Sequence, residues 1–257
     1  MRADQLLVQQ GLAASRSQAQ RLIAAGVRWR LGVGPFQSVQ KNGDELPPQA
    51  ELMLDDDSER RYVSRGGLKL EGALRDSGLD VRGWRCLDVG QSTGGFTDAL
   101  LHAGASSVVG IDVGHDQVHP RILQHPQVHC VQGLNARDLQ PLDPRVQAGS
   151  GFDLAVGDVS FISLTLVLPS IAAQLKPLGH LLMLVKPQFE LQPKQLGKGG
   201  LVKDSSLFDS VKLRVIQACQ DLGLQHLHWH ASAITGGDGN HEFFVQAQCP
   251  ALLKVST

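Results

Sequence analysis

A chain of 257 residues, 42% hydrophobic and 5% aromatic, is long enough to bury a full core and to divide into a large domain and a small one. Its formal net charge of −1 excludes a uniformly basic or acidic surface. The charges are segregated, however: residues 1–41 carry six bases (Arg2, Arg16, Arg21, Arg28, Arg30 and Lys41) against the acid Asp4, and residues 42–59 carry seven acids and no base. No apolar run approaches the roughly 18 residues of a membrane helix, and no signal core follows Met1. Cys86, Cys130, Cys219 and Cys249 stand without metal spacing, so the expectation is a soluble, cytoplasmic protein with reduced cysteines, no metal and no membrane partner.

In chain order, Asp4 to Gln10 read as a helix stopped at Gly11. Ser15 opens a second helix, with Gln18 placed for a capping box and Gly26 as its stop. Val27 to Val33 and Glu51 to Leu54 read as strands around a turn-rich middle with Asn42-Gly43-Asp44 and Pro47-Pro48. The first 59 residues are thus expected to be a small α+β domain ending in an acidic linker, Asp55 to Arg61. Arg2, Arg16, Arg21, Arg28 and Arg30 give it a positive face for phosphates.

From residue 60 to 257 strand and helix alternate. Strands are expected at Arg85–Val89, Ser107–Asp112, Val128–Gln132, Phe152–Asp158 and His180–Lys186, the pattern of a mostly parallel sheet covered on both faces. Gln225–Ala231 and Glu242–Gln248 flank the turn Gly236-Gly237-Asp238-Gly239-Asn240 as a hairpin, which adds an antiparallel strand at the sheet edge.

The stretch Leu87 to Thr97 ends a short strand in an acid and turns through glycines into a helix at Phe96 to His102. Such glycines let backbone approach a ligand at the carboxyl edge of a sheet. A pyrophosphate site wants G-x-G-x-x-G, whereas the order here is D-x-G-x-x-x-G-G. The acid repels a pyrophosphate and suits a cationic ligand such as S-adenosylmethionine; the alternative is a turn whose glycines serve only tight packing.

Asp88, Asp112, Asp158 and Lys186 all stand at carboxyl ends of strands. Asp112 is placed to accept hydrogen bonds from a ribose, and Asn135 to Asp138 to lie near an adenine. Glu242 begins an antiparallel strand, and Lys69 begins a helix (Leu68 to Asp76) antiparallel to the first strand, so both reach the same edge. An acid after a strand is equally a helix cap when taken alone. Lys186 differs: it follows Leu181-Leu182-Met183-Leu184-Val185 and precedes Pro187, so partial desolvation is expected to lower its pKa.

His115, His119, His125 and His129 lack a zinc-spaced partner set and read as surface or packing residues. Gly197-Lys198-Gly199-Gly200 lacks the Walker pattern and reads as a basic loop, with Lys198 as a contact for phosphates.

Tyr62-Val63-Ser64-Arg65-Gly66-Gly67-Leu68-Lys69-Leu70, Asp88 to Asp98, Asp158-Val159-Ser160-Phe161-Ile162-Ser163-Leu164, Val185-Lys186-Pro187-Gln188-Phe189-Glu190 and Gly239-Asn240-His241-Glu242-Phe243 together are similar to the hemolysin A (TlyA) family of FtsJ-like ribosomal RNA methyltransferases, nearly end to end. The amino-terminal unit resembles the αL RNA-binding module of a small-subunit ribosomal protein and of pseudouridine synthases. The resemblance implies a Rossmann-like methyltransferase fold and transfer of a methyl from S-adenosylmethionine to a ribose 2′-hydroxyl of ribosomal RNA, free or in a ribosomal subunit. It further implies a K-D-K-E tetrad at Lys69, Asp158, Lys186 and Glu242. In it Lys186 deprotonates or steers the hydroxyl, Asp158 holds Lys186 and the donor, Lys69 binds a nearby phosphate or ribose, and Glu242 orients the lysines. Cofactor contacts are implied at Asp88, Gly90, Ser92, Gly94, Phe96, Asp112, Asn135 and Asp158.

The chain departs from the family pattern at Gln91 (alanine expected), Asp116 (glycine), Ala233 (proline) and Gln132-Gly133 (a more polar pair), all of which bear on the shape of the cofactor pocket. A non-catalytic RNA-binding or assembly factor could dispense with the tetrad, and a membrane-active hemolysin would need an amphipathic or apolar segment.

Overall fold

A computed structural model describes residues 1–13, 15–55, 61–147 and 149–251. The chain folds as two compact units, Met1–Arg65 and Gly66–Thr257. The sequence-expected linker falls mostly at residues 56–60, outside the described residues.

In the first unit, α1 (Ala3–Gln9) and α2 (Arg16–Gly26) pack over a three-stranded antiparallel sheet of order β2-β1-β3, formed by β1 (Val27–Arg30), β2 (Gln37–Ser38) and β3 (Glu51–Leu54). The Ser15 hydroxyl accepts the Gln18 N–H at 3.2 Å and so caps α2. Leu6, Leu7, Ala19, Leu22 and Val27 form its dry interior. The first strand stops at Arg30, three residues before the expected Val33, because the chain turns through Gly32 at φ +59°.

The second unit is built from α3 (Gly66–Ser77), β4 (Arg85–Val89), α4 (Gly95–His102), β5 (Ser107–Asp112), α5 (Pro120–Leu123), β6 (Val128–Gln132), β7 (Phe152–Gly157), α6 (Leu168–Ala172), β8 (Leu175–Val185), α7 (Pro187–Glu190), α8 (Leu207–Asp221), β9 (Gln225–Ala231) and β10 (Phe243–Gln248). The seven strands form one sheet of order β6-β5-β4-β7-β8-β10-β9. Strands β6, β5, β4, β7 and β8 are parallel; the inner strands β5, β4, β7 and β8 bury their apolar runs, Leu181 to Val185 being at most 1% exposed, while the edge strand β6 is half-buried with His129 exposed.

Two expectations change here. Strand β8 begins at Leu175 rather than His180: Phe152 pairs with Leu175 and Leu154 with His180, so the Pro177–Gly179 stretch bulges from the ladder and hides the strand start in the sequence. The hairpin does form, but its antiparallel member β10 lies between β8 and β9, so the edge strand is β9 and runs parallel to β8. Inserting β10 buries Phe244, Val245 and Ala247 completely and sets Phe243 opposite Val185. Glu242, the residue before Phe243, thereby enters at the level of Lys186, the residue after Val185.

Candidate active site

The carboxyl ends of β4, β5 and β7 open onto a cavity of about 370 Å³ lined by Gly90, Ser92, Asp112, Gln117, Asn135 and Asp158, with Phe161 and Ile162 on one wall. Gly90 is in the left-handed region (φ +78°), and a Cβ there would lie 2.7 Å from the Asp158 carbonyl oxygen, so β4 and β7 meet over a glycine that no other residue replaces without strain. Asp112 accepts the Ser92 N–H at 2.8 Å on one carboxylate oxygen and the Gly114 N–H at 2.7 Å on the other. Each oxygen keeps a further lone pair for a diol at the cavity. The Asn135 side chain accepts the Arg137 N–H at 3.0 Å, which holds the following turn against the cavity.

Of the sequence-expected cofactor contacts, Gly90, Ser92, Asp112, Asn135 and Asp158 line this cavity; Asp88, Gly94 and Phe96 are not among its lining residues. Phe96 is 3% exposed and stacks on Phe244 with centroids 6.0 Å apart. Gly94 (φ +95°) supplies the left-handed residue before α4 and packs against Ile122. Asp88 lies fully buried beneath the turn, where one oxygen accepts the Thr97 hydroxyl at 2.6 Å and the other has no hydrogen-bond partner. Burial pushes its carboxyl up to about 7, against the opposing Thr97 hydrogen bond.

The departures from the family pattern find local explanations. The Gln91 side chain is buried away from the cavity, donates to Thr97 Oγ1 at 2.8 Å, and lies over Gly110, where a Cβ would approach it to 2.0 Å. It therefore fills space behind the cavity rather than narrowing it. Asp116 adopts φ +57°, the left-handed conformation natural to glycine, and its N–H donates to Gln132 Oε1 at 2.8 Å, so two departures support each other. Ala233 packs on α3 at Gly72, where a Cβ would lie 2.6 Å from its own Cβ.

Beside the cavity Lys186, Asp158, Lys69 and Glu242 form one chain of charges. Lys186 Nζ lies 2.5 Å from Asp158 Oδ1, and Lys69 Nζ lies 2.5 Å from Glu242 Oε2 and 3.9 Å from Asp158 Oδ2. Both close carboxylate oxygens are buried and are approached at ion-pair distance without hydrogen-bond alignment. Lys186 also donates to Ser160 Oγ at 2.7 Å, and Phe189 lies with its ring centroid 5.8 Å from Nζ. Burial raises the Glu242 carboxyl, with Lys69 opposing the shift. The Lys69 side chain is 9% exposed and stands between two carboxylates, a clamp on Asp158 and Glu242 in addition to the expected contact with a nearby phosphate or ribose.

Ser160, Gln117 and Phe161 were not anticipated at this site. Only the position of Ser160, two residues after Asp158, hinted at its role.

The arginines of the first unit are less free than their spacing suggested. Arg2 and Arg16 both reach the buried Asp4 carboxylate at 3.0 Å. Arg2 above all, then Arg16 and Gln20, hold that carboxyl below its usual range against burial. Arg28 pairs with Asp55 at 2.6 Å and Arg30 with Glu51 at 2.7 Å. For Arg28 and Arg30 the partners lie 27 and 21 residues further on, at and just after the neighbouring strand β3. Arg21 and Lys198 lie on α2 and in the short helical turn Lys198–Gly200.

The FtsJ-like methyltransferase family matches residues 62–249, and the S4 domain matches residues 1–26. The 16S/23S rRNA (cytidine-2′-O)-methyltransferase TlyA of Mycobacterium tuberculosis is 41% identical over 244 residues, covering 95% of this chain and 88% of the relative. Hemolysin A of Brachyspira hyodysenteriae is 35% identical over 248 residues, covering 95% and 98%. A solved structure from Streptococcus thermophilus, provisionally described as a hemolysin, superposes with a TM-score of 0.74 at 38% identity, covering 97% of this chain and 88% of that one. S-adenosylmethionine is the cofactor of this family. Among the described residues, no helix is long and apolar enough to cross a membrane.

Proposed function

The chain belongs to the hemolysin A (TlyA) family of FtsJ-like methyltransferases, and on that premise we propose that it methylates a ribose 2′-hydroxyl of ribosomal RNA. The observation that carries the reading is the continuous Lys186–Asp158–Lys69–Glu242 chain at the rim of a cavity whose Asp112, Asn135 and Gly90 suit a nucleoside. Gly90, Ser92, Asp112 and Asn135 would hold S-adenosylmethionine, which supplies an electrophilic methyl group when bound.

The work of the protein is to present a weak nucleophile. Lys186 Nζ, tied to Asp158 and Ser160, orients the ribose hydroxyl and takes or steers its proton. Asp158 fixes Lys186 at the cavity wall. Lys69 in turn fixes Asp158, and Glu242 balances the buried Lys69 ammonium. Orientation can contribute effective molarities on the order of 10⁵ M or more, against about 10² to 10⁴ in rate for a general base, so positioning is the larger contribution. Arg2, Arg16, Arg21, Arg28, Arg30 and Lys198 serve as phosphate contacts, the paired arginines by exchanging a carboxylate for a phosphate. Such a substrate puts the activity in the cytoplasm.

The experiment is transfer from labelled S-adenosylmethionine to ribosomal RNA and intact subunits, followed by mapping of modified nucleotides. A 2′-deoxy sugar at the mapped position should bind but accept nothing. Methyl transfer to that deoxy substrate would identify a base methyltransferase and refute the reading.

A further inference from the structure

The segment from Asp158 to Leu164, which lines the cavity from Asp158 to Ile162, is anchored at two points on the chain that follows β8. At the first, Ser160 Oγ accepts from Lys186 Nζ at 2.7 Å. At the second, one helical turn later, the Glu190 carboxylate accepts the Leu164 N–H at 2.6 Å on Oε1 and the Ser163 hydroxyl at 2.6 Å on Oε2. Glu190 is 3% exposed. Arg214 on α8 holds it from behind, donating to the Glu190 carbonyl oxygen at 2.6 Å and to Oε2 at 3.2 Å. α7 links the two anchors directly, with the Phe189 N–H donating to the Lys186 carbonyl at 2.9 Å.

Between the anchors stands Phe161, 92% exposed, at φ +63°, with its ring 5.3 Å from that of Phe189. A non-glycine residue keeps this conformation only where its surroundings over-determine it. Glu190 is not among the residues lining the cavity, and its carboxylate bonds go to Ser163, Leu164 and Arg214.

We propose that Glu190, braced by Arg214, is a positioning residue that sets the 158–164 wall against Lys186 and so aligns the acceptor hydroxyl; this rests on the proposed ribose methylation. Without the carboxylate, the wall keeps its tie to Lys186 at Ser160 but loses its far anchor. The Asp158–Lys186 geometry then rests on their own contact, the Ser160 bond and Lys69, with nothing holding the far end of the wall.

The test uses the full chain with Glu190→Ala, Glu190→Gln, Arg214→Ala and Arg214→Lys. Three properties are followed: hydrogen exchange of residues 159–165, cofactor affinity by calorimetry, and single-turnover methyl transfer at saturating RNA from pH 6 to 9. Glu190→Ala should speed exchange of the Leu164 amide and slow transfer about 100-fold, as small misplacements do. Its cofactor affinity should stay within about fivefold, because the loss falls on the transition state. Its pH profile should change shape as the contacts of Lys186 loosen.

Glu190→Gln keeps an acceptor for Leu164 but not the charge for Arg214 and should fall between Ala and wild type. Arg214→Lys should recover part of what Arg214→Ala loses. These conservative variants also decide the matter if Ala fails to fold. Wild-type exchange and transfer in a folded Glu190→Ala protein would overturn the proposal, as would equal losses in rate and cofactor affinity with an unchanged pH profile. A wild-type protein that transfers nothing to ribosomal RNA refutes the substrate reading instead, and exchange in the variants still decides the anchor.

Discussion

Lys69 Nζ and Glu242 Oε2 lie 2.5 Å apart, joining the start of α3 to the residue that precedes β10. The side chains are 9% and 2% exposed, so neither charge has water to turn to. Removing one member of such a pair strands the other: Glu242→Ala is expected to cost about 3 kcal/mol in chemical denaturation, with Asp158 limiting the loss. Replacing both by Met and Leu should cost less than Glu242→Ala alone, while methyl transfer is lost in both.

Lys186 is tested by its conservative replacement. Arginine keeps the charge and donors but cannot accept a proton at working pH. If Lys186 takes the proton, Lys186→Arg is as inactive as Lys186→Ala in single-turnover transfer from pH 6 to 9, while calorimetry shows cofactor still bound. Substantial, pH-independent transfer by Lys186→Arg would leave steering as its role.

Asp88 predicts a pH dependence of folding. Its carboxyl is raised from 3.8 to about 7 by burial, so the folded state binds the proton more tightly than the unfolded state. The stabilisation is full below about pH 4 and is lost as pH rises through about 7. Between pH 5 and pH 8 the wild type should lose about 2 to 3 kcal/mol relative to Asp88→Asn, on the scale of 1.36 kcal/mol per pH unit. Parallel stability curves for the two proteins in urea would refute it.

Gln91 and Gly110 should be strongly coupled. Gly110→Ala drives a methyl into the Gln91 side chain, which is packed at a would-be distance of 2.0 Å. Gln91→Ala opens a void and removes the bond to Thr97, at about 2 kcal/mol. In the double variant the new methyl occupies part of that void, so the combined cost should be smaller than the sum of the two. Cofactor affinity of Gln91→Ala should stay near wild type, since Gln91 does not line the cavity.

The paired arginines of the first unit predict a salt effect. If Arg28 and Arg30 exchange Asp55 and Glu51 for RNA phosphates, Arg28→Ala and Arg30→Ala each reduce the slope of log affinity against log salt by about 1. Filter binding of ribosomal RNA across a salt series measures this. An unchanged slope would assign both arginines to the small sheet alone.

What the sequence determined by itself was local. Alternation of apolar runs with glycine-bounded helices made the parallel strands legible, because strands buried on both faces need continuous apolar side chains. Charged residues at the ends of those runs, Asp112, Asp158 and Lys186, could be assigned to one edge because successive parallel strands all end on the same side.

Only the tertiary structure decided the rest, since it depends on partners distant in the chain. The place of β10 inside the sheet follows from pairing with β8, and that pairing brings Glu242 to Lys69. Asp88, acidic and next to a glycine turn, read as a ligand contact, yet the helix behind it buries the carboxylate against Thr97. The bases of β1, read as a free positive face, meet acids that follow them in sequence because β1 and β3 are neighbours, which sets Arg30 on Glu51. Burial and charge pairing are properties of what lies opposite, and a linear pattern carries the period of a strand but not the identity of its neighbour.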